Sequence, residues 1–218
     1  MENQNIRRGK FIVFEGIDRS GKSTQIKLLS QKLLGENIKN KIITFPNKGT
    51  PIGRILGDYL KSRDENIPKQ ALHLLFSANR WEEMNNIKKV LESGTHVITD
   101  RYAYSGISYS VGAEGLNFDW CTIPDTGLIQ PDVVFYMDIE PEQTTSRGDF
   151  GIEIYETIEH LKNVHQAFKK FTHLPYWNNI QAFGDENVIH EKIYSIARTV
   201  IESEDEGLKR LSFQAAPI

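Results

Sequence analysis

Cysteine is almost missing from this chain: Cys121 stands alone among 218 residues. No intrachain disulfide can form, and a reducing compartment suits the sequence. Long apolar runs are missing too; none approaches the roughly 20 residues that a membrane helix needs, so no membrane partner is expected. The opening stretch, Met1 to Lys10, is polar and basic with no apolar centre, which argues against a secretory signal. The expectation is an intracellular, cytoplasmic protein, with the nucleus also compatible. Excess positive charge is lacking: the formal net charge is −3, whereas nonspecific nucleic-acid binding needs a broad basic surface. The six histidines show no metal-ligand spacing, and none pairs with Cys121 as a nucleophile. No repeat, low-complexity tract or linker marks a boundary, so a single domain over residues 1–218 is expected, with a frayed tail after residue 202.

What is present begins with Gly16-Ile17-Asp18-Arg19-Ser20-Gly21-Lys22-Ser23, directly after the apolar run Phe11-Ile12-Val13-Phe14. It fits G-x-x-x-x-G-K-[ST], a phosphate-cradling loop between a strand and a helix. Glycines let the backbone approach a polyphosphate, and converging N–H groups meet it at the positive end of the following helix. Lys22 would neutralise charge on the β/γ-phosphates, and the Ser23 hydroxyl would ligate Mg2+. A chance match is the plain alternative, but the strand before and the helical spacing after, through Ile26, Leu28 and Leu29, favour a site for a nucleoside triphosphate.

Short apolar segments at Lys10–Glu15, Lys41–Phe45, Thr95–Asp100, Asp132–Asp138 and, more weakly, Trp177–Phe183 predict five strands. Between them, helices are predicted at Lys22–Leu34, at Ile52–Lys61 opened by Pro51, over Pro68 to Ser93 with a break near Asn85-Asn86, and from an Asp185 cap through Ile201. Apolar strands without alternation, separated by helices, predict an α/β fold: a parallel sheet covered on both faces. The polar stretch from Glu140, with Gly148 and Gly151, reads either as a surface loop or as a mobile lid over about residues 140–153. Trp120 and Trp177 read as packing residues.

Asp100-Arg101-Tyr102 closes the third strand. On the ligand side of a parallel sheet, Asp100 could reach Mg2+ or its waters and Arg101 a phosphate; elsewhere they would be a surface ion pair. Phe76 and Arg80, four apart, share a helix face. Taken alone, Phe76 reads as core and Arg80 as solvated on the rim. Arg19, inside the loop, could act as an arginine finger in cis, worth roughly 10³–10⁵-fold in rate; the alternative is an arginine facing water.

Together these pieces resemble thymidylate kinase. The matching stretches are Phe14 to Gln25, Leu74-Leu75-Phe76-Ser77-Ala78-Asn79-Arg80-Trp81-Glu82, Asp100 to Gly106 and Pro131 to Phe135, within a likeness running from about Lys10 to Ile201. An arginine in the phosphate loop is the arrangement of the eukaryotic and poxviral branch. The resemblance implies a P-loop nucleoside monophosphate kinase fold with five parallel strands and a short lid, ATP and Mg2+, dTMP as acceptor, and a homodimer. It implies that Arg19, Lys22, Asp100 and Arg101 serve catalysis, and that Gly16, Arg19, Ser20, Gly21, Lys22, Ser23 and Thr24 hold ATP, with Arg147 against adenine. It places Phe76 on the thymine ring and Arg80 at its carbonyl edge, replacing the rim reading. Asp18 would hold the deoxyribose 3′-hydroxyl, Tyr155 would crowd the 2′ position, and Arg101 and Lys48 would hold the acceptor phosphate. Phe45, Gly106 and Tyr109 complete the substrate set, and Ser23 and Asp100 the metal site, in part through water.

Two departures stand out. The family pattern Phe-Pro-x-Arg is here Phe45-Pro46-Asn47-Lys48, and lysine lacks the bidentate fork of arginine. The lid pattern Phe-Gly-x-Glu-Arg-Tyr-Glu carries Ile154 in place of its arginine. Rival readings are a related kinase with another nucleotide or deoxynucleoside acceptor, a GTP-driven switch, or a catalytically dead scaffold. The Asn-Lys-x-Asp guanine signature is absent, and the scaffold reading is opposed by the loop Lys22 and Ser23 with both Arg19 and Arg101.

Overall fold

The five apolar segments become five parallel strands. A computed structural model describes residues 7–62, 67–144, 157–204 and 206–213. The strands are β1 (Phe11–Glu15), β2 (Asn40–Thr44), β3 (His96–Asp100), β4 (Val133–Asp138) and β5 (Trp177–Gln181). They lie in the order β2-β3-β1-β4-β5, so the strand that feeds the phosphate loop is central. Val13 sits opposite Thr99 of β3 and Val134 of β4. Successive residues of a strand face opposite sides of the sheet, and every residue of β1 is buried. The sheet is therefore covered on both faces, as the unbroken apolar runs predict.

The covering helices are α1 (Lys22–Gly35), α2 (Pro51–Ser62), α3 (Lys69–Glu92), α4 (Ala103–Gly112), α5 (Phe118–Thr122), α6 (Pro141–Thr144), α7 (Ile158–Phe168) and α8 (Glu186–Glu202). Helices α1 and α8 pack on each other and on the sheet; α3, α4 and α7 form a second contacting set. Pro51 opens α2 as expected, and Asp185 caps α8 by accepting from the N–H groups of Asn187 and Val188. Trp177 is buried among Tyr104, Tyr136, Phe168 and Phe171, and Trp120 packs near His73, so both are packing residues.

Two expectations need correction, and four helices were not foreseen. Helix α3 runs unbroken through Asn85 and Asn86. The Asn86 amide donates to Glu83 Oε2 at 2.8 Å instead of competing for the backbone. Helices α4, α5, α6 and α7 carry no counterpart in the sequence reading. Among the described residues after 202 the chain is not frayed: Leu211 is buried and exchanges backbone hydrogen bonds with Gly127 and Leu128, and Phe213 packs on Tyr104 and Phe171.

Candidate active site

Strand β1 ends in the phosphate loop, whose backbone is held in conformations that a strand or helix does not use. Gly16 has φ 143° and Gly21, which caps α1, has φ 93°. Arg19 is left-handed at φ 60°, a conformation that costs a non-glycine residue about 1 kcal/mol. No acidic residue occupies the first turn of α1, so the helix sets no carboxylate of its own against an anion at that end. Lys22 is only 6% exposed and folds back on the loop, donating to the carbonyl oxygens of Gly16 at 3.0 Å and Ile17 at 2.7 Å. Burial, and then the nearby Arg101 charge, push its ammonium down to about 8.

Ser23 Oγ donates to Asp100 Oδ2 at 3.0 Å. The other carboxylate oxygen, Asp100 Oδ1, is buried with no hydrogen-bond partner among the described residues. Hard oxygen donors with one lone buried oxygen suit Mg2+. No group of three or more His, Cys, Asp or Glu that could hold a metal occurs among the described residues, so such an ion would draw its remaining ligands from phosphate and water.

Arg101 joins the loop to the rest of the site. It is left-handed at φ 67°, and its N–H donates to the Phe14 carbonyl at 2.9 Å. Its guanidinium donates to the Gly16 carbonyl at 3.3 Å and Ser105 Oγ at 3.2 Å, pairs with Asp18, and lies 5.1 Å from the centre of the Tyr109 ring. Tyr109 Oη donates to the second Asp18 oxygen at 2.6 Å. Asp100 and Arg101 are thus not an ion pair with each other; each has its own partner. Beneath them Glu15, fully buried, accepts from the N–H groups of Tyr102 at 2.9 Å and Ser105 at 3.0 Å and from Ser105 Oγ. Burial raises its carboxyl and the Ser105 hydrogen bonds oppose this. Glu15 pins the first turn of α4 to the end of β1, a task that the sequence reading did not assign.

A cavity of about 150 Å³ opens beside this junction, and Asp18, Phe45, Phe76, Arg80, Arg101, Gly106 and Tyr109 all line it. Phe76 is half-buried at the wall. Arg80 is not solvated on a rim, as it reads when taken alone. It is 2% exposed and paired with the fully buried Asp125, Nε to Oδ1 at 3.0 Å and Nη2 to Oδ2 at 2.6 Å. His73 also lines the cavity, tied to Ser110 Oγ at 2.7 Å and the Cys121 carbonyl at 3.0 Å, and burial pushes its imidazolium down. His73, Ser110 and Asp125 went unnoticed in the sequence; only the α3 periodicity that puts His73 one turn from Phe76 carries any signal.

Lys48 is the one described substrate residue left outside this gathering. It is exposed in a neighbouring groove with Asn47 and Glu83, its stem over Gly57 of α2. Ser20 is buried, whereas Ser23 and Thr24 are exposed at the start of α1 and Arg19 is half-buried. Arg147 and Tyr155 lie outside the described residues, as does most of the expected lid; only residues 140–144, with α6, are described.

Comparison with known proteins agrees with this geometry. The family described as thymidylate kinase matches residues 14–193. The thymidylate kinase of Plasmodium falciparum is 49% identical over 200 residues, 91% of this chain and 95% of that protein. The human thymidylate kinase is 36% identical over 204 residues, 92% and 95% of the two chains. A solved thymidylate kinase from Candida albicans superposes with a TM-score of 0.86 at 33% identity, covering 94% of this chain and 99% of that one. This chain belongs to the thymidylate kinase family. It is an enzyme of that type, a nucleotide-binding transferase, with the α/β fold and five parallel strands that the sequence predicts. No helix among the described residues is long and apolar enough to cross a membrane.

Proposed function

We propose that this chain transfers the γ-phosphoryl group of ATP to dTMP, giving dTDP and ADP, a step toward dTTP. The observation that carries the reading is the gathering of seven implied substrate residues around one cavity whose Arg101 also touches the phosphate loop. ATP lies with its phosphates on the loop backbone from Gly16 to Thr24, and Lys22 leaves the Gly16 and Ile17 carbonyls for the β/γ-phosphates. Arg147 takes the adenine side. dTMP enters the cavity with its ring on Phe76, its carbonyl edge toward Arg80, its 3′-hydroxyl at Asp18 and its 2′ carbon crowded by Tyr155. Its phosphate lies at Arg101, with Lys48 as the second cation that the family likeness implies; Phe45, Gly106 and Tyr109 shape the walls.

A phosphate monoester near neutrality is already nucleophilic, so in-line transfer demands no general base here. Catalysis is positioning plus charge: Lys22, Arg19 and Arg101 share the negative charge of the transferring group. Ser23 and Asp100 would hold Mg2+, which when bound supplies further charge neutralisation on the phosphate oxygens. Loss of turnover on chelation, restored by Mg2+, tests that assignment.

The deciding experiment is ADP release with ATP, Mg2+ and, in turn, dTMP, dUMP, UMP, CMP and AMP. Preference for dTMP is expected; preference for AMP or CMP would point to a different monophosphate kinase. The family's homodimer is carried over as a proposal as well. Leu74 and Trp81, seven apart on α3, are 47% and 43% exposed, two apolar side chains on one helix face that a second copy would cover. Light scattering is expected to give twice the 25.0 kDa chain mass.

A further inference from the structure

We propose that Asp125 is a positioning residue for recognition of the nucleobase, acting through Arg80. The inference rests on the cavity being the nucleoside site. A guanidinium offers five N–H donors in a fixed plane. Asp125 takes Nε and Nη2, two of the three nitrogens, through both its oxygens. Among the described residues Nη1 has no protein acceptor, so its donors are what the cavity receives.

Asp125 is itself held. Ser77, one turn before Arg80 on α3, has its hydroxyl 2.7 Å from Asp125 Oδ1, to which its one O–H donates, and 3.0 Å from the Pro124 carbonyl. The Trp81 indole N–H reaches the same carbonyl at 2.7 Å. Across the cavity wall Gly106 closes the arrangement: a Cβ there would stand 2.7 Å from Arg80 Nη2 and 2.8 Å from Nη1. The guanidinium is thus gripped along one edge by Asp125 and packed closely by Gly106, and its free edge is fixed before any ligand arrives.

The charge balance matters as much as the geometry. A pyrimidine ring is neutral and its sugar phosphate is not. Pairing Arg80 with a fully buried carboxylate leaves donors at the base end without net charge there. The phosphate loop is joined to the cavity through Arg101, not through Arg80. An unpaired Arg80 would attract a phosphate to the wrong end of the cavity. Asp125 therefore sets both the aim of Arg80 and the direction in which a nucleotide lies.

The test uses the full chain with Asp125→Asn, Arg80→Ala and the double variant, each with dTMP and ATP kinetics and a thermal melt. Asp125→Asn is expected to raise the dTMP KM about tenfold or more, as loss of a charge-assisted orienting pair does, with kcat and the ATP KM within about twofold of the parent. The double variant is expected to bind dTMP no more weakly than Arg80→Ala alone. A dTMP KM unchanged by Asp125→Asn, equal losses for both substrates, or additive losses in the double variant would overturn the inference. An Arg80→Ala variant with an unchanged dTMP KM would instead refute the cavity as the nucleoside site. If Asp125→Asn does not fold, Ser77→Ala takes its place. It frees Asp125 Oδ1 on one side and is expected to raise the dTMP KM about threefold with the ATP KM unmoved; no change in the dTMP KM would refute the proposal.

Discussion

Arg19 keeps a left-handed backbone at φ 60° without the freedom of a glycine. The loop tolerates that cost beside the position where the γ-phosphate would lie, which suits a cation whose value is realised in the transition state. Arg19→Ala keeps the backbone cost and removes only the guanidinium. Its kcat is expected to fall on the order of 10²-fold or more, with nucleotide affinity altered far less; equal losses in both would make Arg19 a ground-state contact. Lys48 poses the opposite case. It is exposed, outside the cavity, and a point charge where the family pattern has a planar fork. Lys48→Arg is expected to lower the dTMP KM severalfold, because a longer bidentate group reaches a phosphate at Arg101 more readily. A KM that stays level or rises in that assay would leave the acceptor phosphate to Arg101 alone.

Elements whose partners are local were legible in the sequence. Strand β1 announces itself as an apolar run, and the Asp185 cap serves N–H groups two and three residues onward. Asn79-Arg80-Trp81-Glu82 was legible as a recognition segment, though only Arg80 had a stated role. The structure gives each residue a partner outside α3: Asn79 holds Asn47 and Thr50, Arg80 holds Asp125, Trp81 holds Pro124 and Glu82 accepts from the Ile52 N–H. Asp125 was illegible because its pairing spans 45 residues and arises only from tertiary packing. Helix α4 was illegible for another reason. Buried on several sides, its Tyr104, Ser105, Ile107, Ser108 and Ser110 show no single apolar stripe. Gly112 at its end is a contact residue of the same hidden kind: a Cβ there would lie 2.5 Å from the Val164 nitrogen and 2.6 Å from the Asn163 carbonyl carbon of α7. Backbone cannot rotate away as a side chain can, so Gly112→Ala must part the two helices. It is expected to cost about 1–3 kcal/mol in urea unfolding, with the dTMP and ATP KM values unchanged; a stability equal to the parent would mean that α7 shifts freely.

Across the whole molecule, Arg101 is where the two substrates would meet under the proposed function, and its charge reaches Lys22. The Lys22 ammonium stands at about 8 instead of its ordinary 10.5, lowered first by burial and next by Arg101. Between these values the folded chain binds fewer protons than the unfolded one. This group's contribution to stability therefore rises with pH from about 8 to 10.5, and its penalty is fully present below 8. Triphosphate binding runs the other way, since the phosphates need the charged form. Affinity for a non-hydrolysable ATP analogue is expected to be level below pH 7 and to fall above pH 8, with proton uptake on binding. A dTMP phosphate beside Arg101 offsets the charge that repels the Lys22 proton, so it raises the Lys22 ammonium and moves that fall to higher pH. Burial is the larger cause and remains, so the rise is partial; it tightens the analogue at pH 9 and hardly at pH 7. Calorimetric titration of the analogue with and without dTMP at both pH values measures the coupling. Equal affinity with and without dTMP at pH 9 would show that Arg101 does not transmit the presence of one substrate to the loop that grips the other.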